Sequence, residues 1–266
     1  MTTKPRLGQN FLNDPSTALA IVESLGDISN ATVLEIGPGK GIITRLLAAR
    51  AGRLIAVELD PFLAQQLQQN FPESSTVVLQ QDILATNISA LLDSSSGKLA
   101  VIGNLPYYIT SQILLHLFAN CSLIDRAVLM VQREVADRIA AQPGSRDYGL
   151  LTATTQLYAR VDNLFTLPPT AFSPPPDVYS TVIRLTFQPQ FEQLGVEPAA
   201  FIAFLRKSFA QKRKTLTNNL RFAGEYPAAI AAALTESDIS PGIRAEALPL
   251  EAAARLFLAL KRTPDI

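Results

Sequence analysis

The 266-residue chain holds one cysteine, one histidine and no tryptophan, and its 23 Lys and Arg balance 23 Asp and Glu, so net charge is zero. A single thiol, Cys121, excludes a disulfide framework and a thiolate metal cluster, and it suits a reducing compartment. His116 stands alone in the apolar helical stretch 112–118, with no second His or nearby Cys at ligand spacing, so no metal centre is expected. An uninterrupted apolar run of about 18 residues, the minimum for a spanning helix, is missing, so no membrane role is expected. Nothing after Met1–Arg6 reads as an apolar signal segment, which leads us to expect a cytoplasmic protein. Charged residues are few, 17 %, beside 48 % apolar residues: enough apolar material for a core and too little charge for a disordered chain.

What charge there is lies unevenly. Residues 198–224 hold six basic side chains (Arg206, Lys207, Lys212, Arg213, Lys214 and Arg221) and no acidic one. A neutral protein with its positives gathered in this way can still present a phosphate-binding face.

Short β-branched runs alternate with helical patterns, which predicts parallel β-α units. Strands are expected at 32–36, 54–57, 77–79, 99–102 and 127–131, all largely apolar, as strands covered on both faces are. Helices are expected at 15–25, 41–50, 61–71, 110–118, 134–141 and 149–158. Two further extended segments, 161–167 and 178–187, flank a proline-dense stretch and read as an antiparallel pair at a sheet edge. Residues 188–195 read as a linker, and from Glu197 the chain is helical with no strand signal. The organisation is therefore an open α/β sheet domain, 1–192, and a small all-helical domain, 193–266.

Chemistry gathers where strands should end. Between the first sheet strand and its helix lies Gly37-Pro38-Gly39-Lys40-Gly41, whose glycines allow a sharp turn and a ligand against bare peptide groups. Glu58 ends the next strand 21 residues after Gly37, the usual place for an acid accepting ribose hydroxyls. Asp82 ends the third, placed to accept from an adenine amine; both acids could equally be solvated strand-end carboxylates. The glycine spacing is neither the dinucleotide fingerprint nor a phosphate loop. An adenosine without phosphates fits better, and S-adenosylmethionine is the natural candidate.

After the fourth strand comes Asn104-Leu105-Pro106-Tyr107-Tyr108. An aromatic amine is a poor nucleophile because its lone pair is delocalised into the ring. The Asn104 side-chain carbonyl and the Pro106 backbone carbonyl, accepting its two N–H bonds, would localise that pair and aim it. Proline lacks an N–H and is expected to leave its carbonyl free. Tyr107 offers a face on which an unpaired base stacks, a contribution of about 1–3 kcal/mol. Phe172, beside the proline run, either closes the other face of the base or packs in the core. Catalysis would then be mostly alignment.

These stretches, with Arg6–Leu12, Gln132–Ala136, Ala171–Pro176 and Arg213–Leu220, closely resemble the ribosomal RNA adenine dimethyltransferase family, in particular its bacterial small-subunit branch. The resemblance implies a Rossmann-like class I methyltransferase sheet followed by a helical domain that docks on RNA or ribosome. It implies S-adenosylmethionine held by Asn10, Leu12, Gly37, Glu58, Asp82 and Asn104, with Gly39 in the same loop. It implies two methyl transfers to each of two adjacent adenosines in a 3′-terminal hairpin loop of 16S RNA, within the assembling small subunit. Asn10-Phe11-Leu12 would form a flap over the cofactor, and Lys4 and Arg6 could touch RNA phosphate. A helical pattern over 201–220 would set Arg206 near Arg213 and Lys207 near Lys214, an RNA-binding stripe or else a solvated helix face. The protein is expected to act as a monomer. Alternatives are the large-subunit dimethylase of macrolide resistance, disfavoured by the 213–220 element, a non-catalytic assembly factor, and a DNA amino-methylase.

Overall fold

The computed structural model describes residues 10–72, 74–93 and 97–262; Lys4 and Arg6 lie outside them. A short strand, β1 (Phe11–Leu12), precedes helix α1 (Pro15–Glu23), whose start is fixed by the Asp14 carboxylate accepting the Ser16 and Thr17 backbone N–H groups. Alternating elements follow: β2 (Thr32–Ile36), α2 (Ile42–Ala48), β3 (Arg53–Glu58), α3 (Pro61–Asn70) and β4 (Thr76–Gln80). Then come β5 (Leu99–Asn104), α4 (Thr110–Ala119), β6 (Ile124–Gln132), α5 (Arg133–Ile139) and α6 (Leu150–Tyr158). The strands β7 (Ala159–Leu167), β8 (Phe172–Ser173) and β9 (Ser180–Phe187) complete the β structure. The chain ends in α7 (Phe191–Leu194), α8 (Pro198–Ser208), α9 (Leu216–Phe222), α10 (Pro227–Glu236) and α11 (Leu250–Arg262).

Seven strands form one sheet in the order β4-β3-β2-β5-β6-β9-β7, and β1 pairs antiparallel with β8 apart from it. Neighbours from β4 to β6 are parallel, and β9 returns antiparallel to β6, so the two late extended segments do lie at one edge. Val33, Leu34, Val101, Ile102, Val128 and Leu129 are fully buried, which is why their strands lack alternation. Each such side chain contributes about 1.5–3 kcal/mol on leaving water.

Topology then places the ligand crevice. From β2 the chain winds outward through β3 and β4, then returns to pair β5 on the other side of β2. Ligands in open α/β sheets bind at such a reversal, beyond the carboxyl ends of the strands. The two strands approach closely there: a Cβ on Gly103 would lie 2.9 Å from the Ile36 carbonyl oxygen, so only glycine lets β2 and β5 end side by side.

Three expectations need correction. The chain divides into two compact units, but the second takes Asp137–Ala159 as well as the residues from Gln188 onward. Tyr148, Ala153 and Leu157 are buried in one apolar cluster with Phe201, Leu205 and Phe257, a tertiary fact that a linear boundary at 192 misses. The predicted linker also contains α7. Further on, the continuous helix expected over 201–220 is two helices, α8 and α9, joined by a turn carrying Lys212, Arg213 and Lys214. Buried Asn219 holds that turn: its Nδ2 donates to the Ser208 and Gln211 carbonyls (2.7 and 3.3 Å), and its Oδ1 accepts the Gln211 N–H at 3.0 Å. Thr215 then caps α9 by accepting the Asn218 N–H.

Candidate active site

An open cleft of about 1080 Å³, counting its solvent-facing mouth, lies at the reversal point. Asn10, Leu12, Gly37, Gly39, Glu58, Asp82, Asn104, Pro106 and Tyr107 all line it, although they come from five separate stretches of chain.

The glycine loop supplies its floor. Gly37, Gly39 and Gly41 all have positive φ, conformations that an L side chain resists. At Gly39 (φ +58°) there is also no room, since a Cβ would meet the Phe11 ring at 2.9 Å. Phe11 comes from β1, and the Lys40 ammonium sits 4.8 Å from its ring centroid. Strand β1 and the glycine loop are thus joined through an aromatic ring, a contact that no local sequence signal announces.

Glu58 is buried, and its carboxylate ties two loops together: one oxygen accepts the Gly39 N–H (3.0 Å), the other the Asp60 N–H (2.9 Å). Each oxygen keeps a further lone pair for a ligand hydroxyl. Asp82 is exposed and accepts the Leu84 N–H at 2.9 Å through Oδ1, capping a short turn and leaving Oδ2 for a ligand.

Sequence reasoning passed over Glu35 as a site residue. It lies in β2, lines the cleft and is 2 % exposed, and among the described residues its Oε2 has no hydrogen-bond partner; nor has the buried Thr44 hydroxyl. Burial pushes its carboxyl up to about 8; the nearby Thr44 hydroxyl opposes the rise and the negative charge of Glu58 adds to it. A buried acceptor without a partner beside a glycine cradle fits a methyl donor that carries positive charge.

On the opposite wall, Asn104 Nδ2 donates to the Asn10 carbonyl at 2.8 Å, which leaves Oδ1 as the amide's acceptor end. Pro106 departs from expectation. Its carbonyl is not free, because it accepts the Ile109 N–H (3.2 Å) and the Thr110 hydroxyl (3.1 Å) as the chain turns into α4. The Leu105 carbonyl, one residue earlier, accepts no hydrogen bond among the described residues, while the Leu105 N–H donates to Met130 O at 3.1 Å. Tyr107 is half-buried, its hydroxyl 2.6 Å from Ser180 Oγ on β9, and burial raises its pKa. Phe172 is not among the lining residues; it is 2 % exposed and packs with Leu12, its partner across the β1–β8 pair. Arg206, Lys207, Lys212, Arg213, Lys214 and Arg221 are all exposed, in the second compact unit. His116 Nε2 lies 3.1 Å from the Thr86 carbonyl, as a packed helix residue.

A cleft with strand-end acids for an adenosine, facing an amide fixed beside a proline-aromatic turn, is that of an S-adenosylmethionine-dependent methyltransferase working on amino groups. The chain belongs to the ribosomal RNA adenine dimethylase family, whose model it matches over residues 1–262. It is 58 % identical to the ribosomal RNA small subunit methyltransferase A of Acidobacterium capsulatum, over 97 % of this chain and 91 % of that one. It is 54 % identical to the protein of the same name from Koribacter versatilis, over 97 % and 95 %. Among solved structures, the 23S rRNA methyltransferase ErmE is similar with a TM-score of 0.70 and 27 % identity, covering 95 % of this chain and all of that one. A dimethyladenosine transferase from Plasmodium falciparum shares the fold, with a TM-score of 0.77 at 22 % identity over 95 % of this chain and 98 % of that one. The protein is an enzyme that methylates ribosomal RNA adenine, with S-adenosylmethionine as donor.

Proposed function

We propose that the chain dimethylates the 6-amino groups of two adjacent adenosines in the 3′-terminal hairpin loop of 16S RNA, acting as a cytoplasmic monomer on the assembling small subunit. The small-subunit name of relatives more than half identical across nearly the whole chain supports this substrate. The observation that carries the chemistry is the fixed Asn104 amide, whose donor end is used by Asn10 and whose carbonyl end remains for a substrate N–H.

Glu58, Asp82, the glycine loop, Asn10 and Leu12 hold the donor, and Glu35 faces its charged part. Bound S-adenosylmethionine supplies a methyl group made electrophilic by its sulfonium. The protein's share is positioning. Asn104 Oδ1 takes one amine N–H, and the Leu105 carbonyl takes the other, in place of the Pro106 carbonyl that its own turn occupies. Two acceptors in this arrangement draw the nitrogen lone pair out of conjugation. Tyr107, steadied by Ser180, gives the base a stacking face. No side chain need act as a strong base, and alignment accounts for most of the acceleration. Phe172 serves by packing against Leu12 of the flap. The six exposed cations of the helical unit contact RNA phosphate.

The test supplies labelled methyl donor with small-subunit particles, naked 16S RNA or large-subunit RNA, followed by mass spectrometry of the labelled nucleosides. Two adjacent dimethyladenosines in small-subunit RNA are expected; label confined to large-subunit RNA would overturn the assignment.

A further inference from the structure

Gln132-Arg133-Glu134 takes no part in the site described above, yet the structure joins it to that site's wall. Tyr107 is held by Ser180, and the residue before Ser180 is Tyr179, 46 % exposed, with Val178 beside it 41 % exposed. The Arg133 guanidinium carbon lies 5.1 Å from the centroid of the Tyr179 ring, and the Arg133 N–H donates to the Tyr179 carbonyl at 3.0 Å. Arg133 is exposed, and among the described residues its guanidinium forms no ion pair and donates no hydrogen bond. A cation stacked on a ring, with every N–H unspent, is already organised for a planar, anionic ligand.

We propose that Arg133 and Tyr179 form a second RNA subsite, which takes the unpaired nucleotide next to the one held against Tyr107. The guanidinium donates to that nucleotide's phosphate, and the outward face of the Arg133–Tyr179 stack carries its base. Two features favour RNA over another ligand. The pair is continuous with the base-binding wall through Ser180, so a strand leaving that wall passes it. Arginine, unlike lysine, offers a phosphate fork and a stacking plane together. The ring restrains the guanidinium beforehand, so little side-chain freedom is lost on binding. The inference rests on the proposed substrate class, and its test is arranged to fail separately.

Arg133→Ala, Arg133→Lys, Tyr179→Ala and Tyr179→Phe would be compared in the full-length protein on whichever ribosomal RNA the wild type methylates. Each alanine variant is expected to raise KM for RNA about tenfold, within the range for losing one stacked base, with kcat and donor affinity close to wild type. Arg133→Ala should also flatten the dependence of log affinity on log salt by about 0.7, the share of one single-strand phosphate contact. Tyr179→Phe keeps the stack and should behave as wild type; Arg133→Lys keeps charge alone and should fall between. Melting curves verify that the variants fold. Unchanged KM and salt slope, or a fall in kcat alone, would reduce the pair to a prop for Tyr107 and sink the inference. A wild type active only on large-subunit RNA removes the substrate assignment and leaves the subsite to be judged there. One that methylates neither RNA removes both.

Discussion

In the proposed mechanism Asn104 works through the direction of one amide. Its NH2 end is committed to a backbone carbonyl 94 residues away, so its oxygen is left for the substrate. Removing the side chain deletes that acceptor and releases the Asn10 carbonyl. Asn104→Ala is expected to lower single-turnover methylation by about 10²–10³-fold, the usual cost of a lost transition-state hydrogen bond. Donor affinity measured by calorimetry should weaken less, because Glu58, Asp82 and the glycine loop remain. Near-wild-type turnover would remove Asn104 from the mechanism. Gly39 is sensitive for a different reason. Alanine there must hold φ near +58° and displace the Phe11 ring, so Gly39→Ala should lose about 1–3 kcal/mol in chemical denaturation and bind donor more weakly.

At the scale of elements, the turn between α8 and α9 is the feature to probe. Its backbone is held by Asn219, and truncation would leave the Ser208 carbonyl and the Gln211 N–H without that partner. Asn219→Ala should cost about 1–3 kcal/mol in urea melts, against a near-neutral effect for the exposed neighbour Asn218→Ala. Lys207 in the basic group is paired with Glu225 at 2.8 Å, an exposed bridge of little stabilising value that also dilutes its charge. The other five form no ion pair among the described residues, so particle binding should show a log–log salt slope of about −4, at about 0.7 per single-strand phosphate. Replacing Lys212, Arg213 and Lys214 with alanine should flatten it by about two. A slope that stays unchanged would place RNA elsewhere.

The same turn marks where the sequence stops being readable. Apolar strand runs, the strand-end acids and the glycine loop are local signals, and the sheet and most of the cleft follow from them. The break at 209–215 depends on a side chain eight residues beyond Gln211, and a helical period carried across it hides the Thr215 cap. Tyr107–Ser180 and Asn104–Asn10 span 73 and 94 residues, and both exist only once the sheet has closed. Phe172 reads the same in a cavity or a core, and only tertiary packing decides. The Pro106 carbonyl is taken by the very turn that proline helps to start, which counting proline's missing N–H does not reveal.

For the molecule as a whole, Glu35 couples stability to pH. In the native protein burial holds its carboxyl near 8, whereas the unfolded chain titrates near the ordinary 4.5. Between those values the native state binds the extra proton, so unfolding free energy falls as pH rises, by at most about 1.4 kcal/mol per unit. Below that window both states are protonated and this group contributes no slope; above it both are ionised and the loss is complete. Glu35→Gln keeps the shape and removes the titration. Its urea midpoint should match wild type near pH 5 and exceed it near pH 8; parallel pH profiles for the two proteins would refute an elevated Glu35. Because Glu35 lines the cleft, a positively charged ligand there favours its ionised form. Donor binding at neutral pH should therefore release a proton from wild type, seen in calorimetry as a heat that varies with the buffer's ionisation enthalpy. The same heat should be smaller for Glu35→Gln, since an amide has no proton to give.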